Sequence, residues 1–329
     1  MKTRLGVVGL GLIWEHIHAP ILEELRDWFE IKALCARNIE TVERFQSHYP
    51  DAKAFVDYRE LMRCGEIDAA LCATPISMNA PVTLEALKQG INVFVEKPPA
   101  LSYEDLVKMQ ESSKETGASV TVLEQAVYSS QAAATQKVLR AKRLGTCVCW
   151  EKVSHYPIEQ AGAYANTAWR NEADFPLGLI LDGGYHDIAQ LLMLFGMPEG
   201  LLAHGRTLRE GYGKYDHIQT MFKYRDDMCG TFSYSSYLPA HENRFVIRGT
   251  EGTLQVLDNK LRLELAGRET QDIAFSESNA YRDMWMALVK GGEPRFSLED
   301  AAHAERLFEA MQHSIETGQM QTVQEGVRR

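Results

Sequence analysis

The sequence lacks a C-x-x-C pair, a basic excess and any long apolar run. Its six cysteines, Cys35, Cys64, Cys72, Cys147, Cys149 and Cys229, are scattered, and most lie inside apolar segments. That usage reads as reduced core thiols and not as a disulfide framework. Cys147 and Cys149 alternate on one strand face, and His16 and His18 point in different directions on a helix, so no metal site is expected. The net charge of -10 argues against nucleic acid or an anionic membrane as partner. It leaves open a small anionic ligand, which needs only local positive charge. No window approaches the ~18 uncharged apolar residues of a membrane span. Met1-Lys2-Thr3-Arg4 leads into a short strand-like segment, Leu5 to Val8, without the longer apolar run and cleavage site of a signal peptide. A cytoplasmic protein is expected.

At 329 residues the chain exceeds one ordinary core, and two domains are expected: residues 1–125 and 126–329. Over residues 4–124, strand-like runs near 4–9, 30–36, 53–56, 68–73, 91–96 and 119–124 alternate with helical spacing. Such alternation predicts an α/β, doubly wound parallel sheet, a Rossmann-type domain whose strand ends share one rim. From about residue 126 the pattern changes. A helix near 130–143 precedes strand-like runs at 147–154, 217–224, 230–236 and 244–248, and helices near 277–290 and 298–317 close the chain. Period-two alternation in Thr231-Phe232-Ser233-Tyr234 predicts a C-terminal α+β domain with a mostly antiparallel sheet covered on one face.

Three strand ends carry candidate chemistry. Gly9-Leu10-Gly11-Leu12-Ile13 follows the first strand and suits a pyrophosphate held by backbone N–H groups of Gly9, Gly11, Leu12 and Ile13; it also suits a plain βα turn. The next fingerprint position, normally small, is Trp14, which either points outward over a ligand or weakens dinucleotide binding. The second strand ends in Arg37-Asn38, where a NAD-selective site offers an acid ~20 residues past the glycines. An arginine there suits the 2′-phosphate of NADP(H) in preference to NAD(H), although it also suits a solvent-exposed loop. Thr74-Pro75 ends the fourth strand, and Ile91–Val95 ends abruptly in Glu96-Lys97-Pro98-Pro99. Prolines cannot extend a sheet ladder, so Glu96 and Lys97 stand at the rim where α/β ligands bind. A solvated ion pair is the other reading of that acid and base.

Further along, Asp182 and His186 are four residues apart and share a face if a helix starts near Asp182. A carboxylate beside an imidazole orients it and raises its basicity, as a general base near neutral pH requires. The other reading is a helix N-terminal acid and a packed histidine. His155, after a strand, is a candidate substrate contact.

Gly9-x-Gly11, Ala73-Thr74-Pro75, Glu96-Lys97-Pro98, Trp169-Arg170 with Gly178…Asp182…His186, and Gly249-Thr250-Glu251-Gly252 together resemble the glucose–fructose oxidoreductase / inositol dehydrogenase / MocA family. Ala36-Arg37 and Glu124–Tyr128 are most similar to its dimeric dihydrodiol dehydrogenase-like and xylose dehydrogenase-like members. Departures are Asn79 where the family often has histidine, Ser129 and Ala133 after the sixth strand, and Ala189 three residues after His186.

The resemblance implies an NAD(P)-dependent oxidoreductase moving a hydride between a nicotinamide cofactor and a secondary hydroxyl of a sugar, polyol or related small molecule. It further implies an open second sheet used by a homodimer or homotetramer, and a cis peptide before Pro98. Lys97 would bind the reacting oxygen, His186 would exchange its proton and Asp182 would orient His186. Thr74, Pro75 and Glu96 would line the cofactor, and Trp169 and Arg170 the substrate; an exposed surface arginine is the other reading of Arg170. The rival readings are a dinucleotide-binding sensor without turnover, motivated by Trp14 and Asn79, and a reductase of conjugated or imine bonds.

Overall fold

The computed structural model describes residues 2–172, 176–211, 213–257 and 260–323. The chain forms two compact units, one of Met1–Gln125 with Tyr281–Ala302 and one of Ala126–Ala280 with His303–Arg329.

In the first unit, β1 (Thr3–Val8), β2 (Phe29–Cys35), β3 (Lys53–Phe55), β4 (Ala69–Cys72), β5 (Asn92–Glu96) and β6 (Val120–Leu123) form one sheet in the order β3-β2-β1-β4-β5-β6. Every pairing is parallel. This is the doubly wound order, whose switch point lies between β1 and β4. Connecting helices include α1 (Ala19–Glu24), α2 (Ile39–Gln46), α3 (Tyr58–Met62), α4 (Ile76–Lys88) and α5 (Tyr103–Thr116). Their starts are chemically marked: Asn38, Asp57 and Ser102 each accept a backbone N–H at an N-cap, and Gly117 closes α5 in the left-handed region. The central strand β4 is buried throughout, as its uninterrupted apolar run requires, and β1 is buried from Leu5 to Val8.

The second unit is built on a nine-stranded sheet. Ahead of and among its strands lie α6 (Ser130–Arg140), α7 (Ala168–Glu172), α8 (Leu179–Gly183) and α9 (Tyr185–Phe195). The strands are β7 (Cys147–His155), β8 (Gly200–Arg206), β9 (His217–Lys223), β10 (Cys229–Ser235), β11 (Glu242–Gly249), β12 (Gly252–Leu257), β13 (Lys260–Leu265), β14 (Gln271–Ile273) and β15 (Gln321–Thr322). Their order is β14-β13-β12-β11-β7-β10-β9-β8-β15, antiparallel except where β10 meets β7. One face is covered. Trp150 of β7 stacks on Phe195 of α9 with ring centroids 5.5 Å apart. The other face exposes Leu202, Met221 and Leu257. The expected six sheet strands of residues 4–124 are all present, whereas β8 and β12–β15 have no counterpart in the sequence reading.

Helices α10 (Ala280–Val289) and α11 (Leu298–Thr317) follow. Two contiguous domains were expected, and the segment Tyr281–Ala302 departs from that by returning to the first unit. The cause is Trp285, fully buried against Phe29 and Phe94 at 5.4 and 5.0 Å. The thiols are all unpaired, but only Cys35 and Cys72 are buried, and Cys229 is exposed. Burial pushes the Cys35 and Cys72 thiols up to about 12. Among the described residues no helix is long and apolar enough to cross a membrane, and no group of three or more metal-binding side chains is gathered.

Candidate active site

At the switch point, Gly9 takes φ +98°. A Cβ there would collide with the carbonyl oxygen of Ala73 at the end of β4, so only glycine lets the two strand ends approach. Gly11 is exposed, and nothing lies within 4 Å of where its Cβ would stand. The first bond of the following helix runs from the Glu15 N–H to the Gly11 carbonyl at 3.0 Å. The N–H groups of Leu12 and Ile13 therefore precede the helical ladder and face an open cradle. This loop fits a dinucleotide diphosphate.

Trp14 does not stand over that cradle. It is fully buried, edge-on to Phe45 at 6.4 Å and tilted on Tyr49 at 6.0 Å. The turn it opens, Trp14–His18, is a π-helix, and this wider turn absorbs the indole into the core. The outward-pointing indole, one of the two outcomes weighed for Trp14, is therefore not what the fold contains.

Arg37 is exposed at the end of β2. The Asn38 side chain is committed to capping α2, accepting the Glu40 N–H at 2.9 Å, so Asn38 has only its backbone and amide nitrogen to offer a ligand. Thr74 is half-buried and donates its hydroxyl to Asn79 Oδ1 at 2.7 Å. Pro75 caps the start of α4. Asn79, buried, donates in turn to the carbonyls of Glu96 at 3.1 Å and Pro98 at 2.9 Å. Sequence reasoning noted Asn79 only as a departure. Its role is to tie the end of β4 to the Lys97 turn.

Lys97 is half-buried and its peptide bond to Pro98 is cis. The solvated Glu96–Lys97 pair does not form. Glu96 is 5% exposed, with Oε1 2.7 Å from His18 Nε2 and Oε2 accepting the Lys97 N–H at 3.1 Å. The expected cofactor contact from Glu96 is thus replaced, for its carboxylate, by inward bonds. His18, with no local signal beyond a histidine in an apolar helix, was missed.

In the second unit a helix does not start at Asp182. Asp182 lies near the end of α8, and His186 sits in the first turn of α9 beyond Gly184. Arg170 Nε donates to Asp182 Oδ2 at 2.8 Å, and Arg170 Nη1 donates to Thr167 Oγ1 at 3.2 Å. The guanidinium lies 4.0 Å over the Trp169 ring and 5.5 Å over Tyr164. Two expected substrate contacts and the expected orienting acid are therefore one cluster.

Asp187, next to His186, forms a buried ion pair with Lys152 of β7 at 3.1 Å, and Lys152 also donates to Asn243 Oδ1 at 2.9 Å. Tyr234 of β10 packs so closely on Gly183 that any Cβ there would meet its hydroxyl. Burial, reinforced by Asp187 and Asp182, pushes the Tyr234 hydroxyl above the usual phenol range.

His155 lies elsewhere. Three residues from Lys152 on the same strand, it points to the opposite face of the sheet. There its Nε2 is 2.9 Å from Ser233 Oγ and its ring 5.9 Å from His217. Burial lowers both histidines, with Glu242 opposing the shift at His155. His155 is therefore not gathered with Asp182 and Arg170.

The family described as an oxidoreductase family with NAD-binding Rossmann fold matches residues 3–124, and the GFO/IDH/MocA C-terminal domain matches residues 132–255. The chain belongs to the GFO/IDH/MocA oxidoreductase family. It is 23% identical over 273 residues to the scyllo-inositol 2-dehydrogenase (NADP(+)) of Bacillus subtilis, covering 82% of this chain and 73% of that protein. It is 26% identical over 261 residues to mouse trans-1,2-dihydrobenzene-1,2-diol dehydrogenase, covering 78% and 75%. The crystal structure of an oxidoreductase of Thermotoga maritima superposes with a TM-score of 0.90 at 25% identity over 98% of this chain and 99% of that one. The GFO/IDH/MocA chain is thus an NAD(P)-binding Rossmann oxidoreductase with a mixed, mostly antiparallel second sheet.

Proposed function

We propose that this chain is an NADP(H)-dependent dehydrogenase acting on a secondary hydroxyl of a sugar, polyol or related small molecule. The observation that carries this reading is Lys97, set at the end of β5 in a turn fixed by Asn79 and Glu96, on the same rim as the Gly9–Ile13 cradle. Gly9, Gly11, Leu12 and Ile13 would hold the diphosphate through backbone N–H groups. Arg37, exposed and outside any ion pair among the described residues, is suited to a 2′-phosphate. Thr74 and Pro75 would wall the nicotinamide side.

A nicotinamide bound beside Thr74 and Pro75 would supply or accept the hydride. Lys97 donates a hydrogen bond to the reacting oxygen and stabilises the charge that develops there. His186 exchanges the hydroxyl proton, and Asp182, with Arg170 and Trp169, fixes the substrate side. Relatives named as an inositol and a dihydrodiol dehydrogenase support the substrate class. The free thiols, two of them in the core, suit a reducing cytoplasm. The exposed Leu202, Met221 and Leu257 on the open sheet suit self-association as a dimer or tetramer. The sensor reading loses half its motive, since Trp14 lies in the core.

The test is turnover of NADP+ and NAD+ with scyllo-inositol, D-xylose and trans-1,2-cyclohexanediol, alongside NADPH and NADH titrations of wild type and Arg37→Ala. Preference for NADPH that Arg37→Ala abolishes is expected. Wild-type turnover by Lys97→Ala or His186→Ala would refute the assigned roles, and tight NADPH binding with no turnover on any alcohol would favour the sensor.

A further inference from the structure

Behind Lys97 lies a line of buried polar groups that the proposed chemistry does not use. The Trp285 indole N–H donates to His18 Nδ1 at 3.1 Å. An indole nitrogen is a donor only, so His18 Nδ1 must accept, and the proton of the neutral ring then sits on Nε2. That nitrogen faces Glu96 Oε1 at 2.7 Å, and the other Glu96 oxygen receives the Lys97 N–H at 3.1 Å. His18 has no solvent exposure. Tyr281 and Trp285 pack edge-on to its ring at 5.9 Å each. Burying a carboxylate and an imidazole costs more than burying apolar side chains of the same size, unless each is hydrogen-bonded. An apolar plug would fill the same space. What the polar line adds is direction: Glu96 is held at one oxygen, so its other oxygen is aimed at the Lys97 amide.

We propose that His18 is a positioning residue for Lys97, with Trp285 fixing the imidazole as an Nε2 donor and Glu96 passing that constraint to the Lys97 backbone. The proposal rests on the reading of Lys97 as the group that binds the reacting oxygen. Asn79 holds the carbonyls on either side of Lys97, and the His18 line holds its N–H, so the turn is pinned at both donor and acceptor. Loss of either pin would let the ammonium wander by a fraction of an ångström, enough to reduce the rate without preventing cofactor binding.

The experiment compares His18→Leu, His18→Gln, Trp285→Phe and Lys97→Ala in the full chain. It reads kcat and KM with NADP+ and whichever of scyllo-inositol, D-xylose or trans-1,2-cyclohexanediol turns over, and amide exchange at Lys97, the last N–H before two prolines. His18→Leu should lower kcat ~10–100-fold with KM for NADP+ within about 2-fold, and should speed Lys97 amide exchange at least ~10-fold. His18→Gln, whose amide can still donate to Glu96, should recover to within ~3-fold of wild type. Trp285→Phe removes the indole donor and should lower kcat ~3–10-fold. It is the variant to rely on if His18→Leu does not fold. Unchanged kcat and exchange in Trp285→Phe, or His18→Gln no better than His18→Leu, would overturn the positioning role. Full turnover by Lys97→Ala would overturn the reading of Lys97 instead, and the exchange rates would then still decide whether His18 fixes the turn.

Discussion

Around Lys97 the fixing contacts are hydrogen bonds from Asn79, Thr74 and His18, whereas around His186 they are ion pairs, Arg170 with Asp182 and Lys152 with Asp187. The first stretch ends a central parallel strand, where the backbone is already rigid and only the turn needs pinning. The second lies across a break between two helices, α8 and α9, where no ladder fixes the chain. Charge supplies there what the sheet supplies at Lys97. The difference has a cost: a buried charge is safe only while its partner is present.

The contrast can be broken by removing one partner at a time. Lys152→Met leaves Asp187 buried and uncompensated, and should destabilise the second unit by about 3–5 kcal/mol in denaturant unfolding. The converse case is Glu305 on α11, 1% exposed with neither oxygen hydrogen-bonded among the described residues. Burial, with Glu309 beside it, pushes its carboxyl up to about 8.

The unfolded chain releases that proton near the ordinary carboxyl range, while the folded chain keeps it to about 8. Wild-type stability therefore falls as pH rises through this window and is flat above it. Glu305→Met should stabilise by roughly 4 kcal/mol at pH 8 and far less at pH 4.5, read from melts across the range. Equal gains at both ends would show that the carboxyl is not protonated in the fold.

On the hydrogen-bonded side, Asn79→Ala should cost about 2–3 kcal/mol by stranding two carbonyls and the Thr74 hydroxyl, with kcat falling more than KM. The smallest effect is expected for Arg170→Gln, about 1 kcal/mol, since glutamine can still donate to Asp182. Its substrate KM should rise with added salt less steeply than that of wild type, because one ion pair has gone. An Asn79→Ala loss smaller than that of Arg170→Gln would reverse the comparison.

Much of the first unit was legible because its signals are local. Apolar runs ended by Gly9-x-Gly11, Thr74-Pro75 and Glu96-Lys97-Pro98 mark strands and their rims without reference to distant residues. β14 and β15, three and two residues long, are too brief to show a period, and in β13 charged Lys260, Arg262 and Glu264 alternate with the leucines. Among the candidate residues, Lys97, Asp182, His186 and Arg170 were all marked in the sequence, yet the pairings around them were not. Asp182 pairs with Arg170 twelve residues back, and Lys152 with Asp187 thirty-five residues on. His155 carried the right chemistry, but strand parity turned it to the other face.

The sequence by itself determined the alternation of strands and helices, the glycine cradle and the placing of Lys97 at a strand end, because hydrophobic period, glycine and proline act within a few residues. Only the tertiary structure decided what holds them. Trp14 went into the core through a π turn, and Trp285 came back from the far end of the chain to orient His18. Hydrogen bonds and close packing between residues up to 267 positions apart depend on three-dimensional approach, which no local pattern encodes.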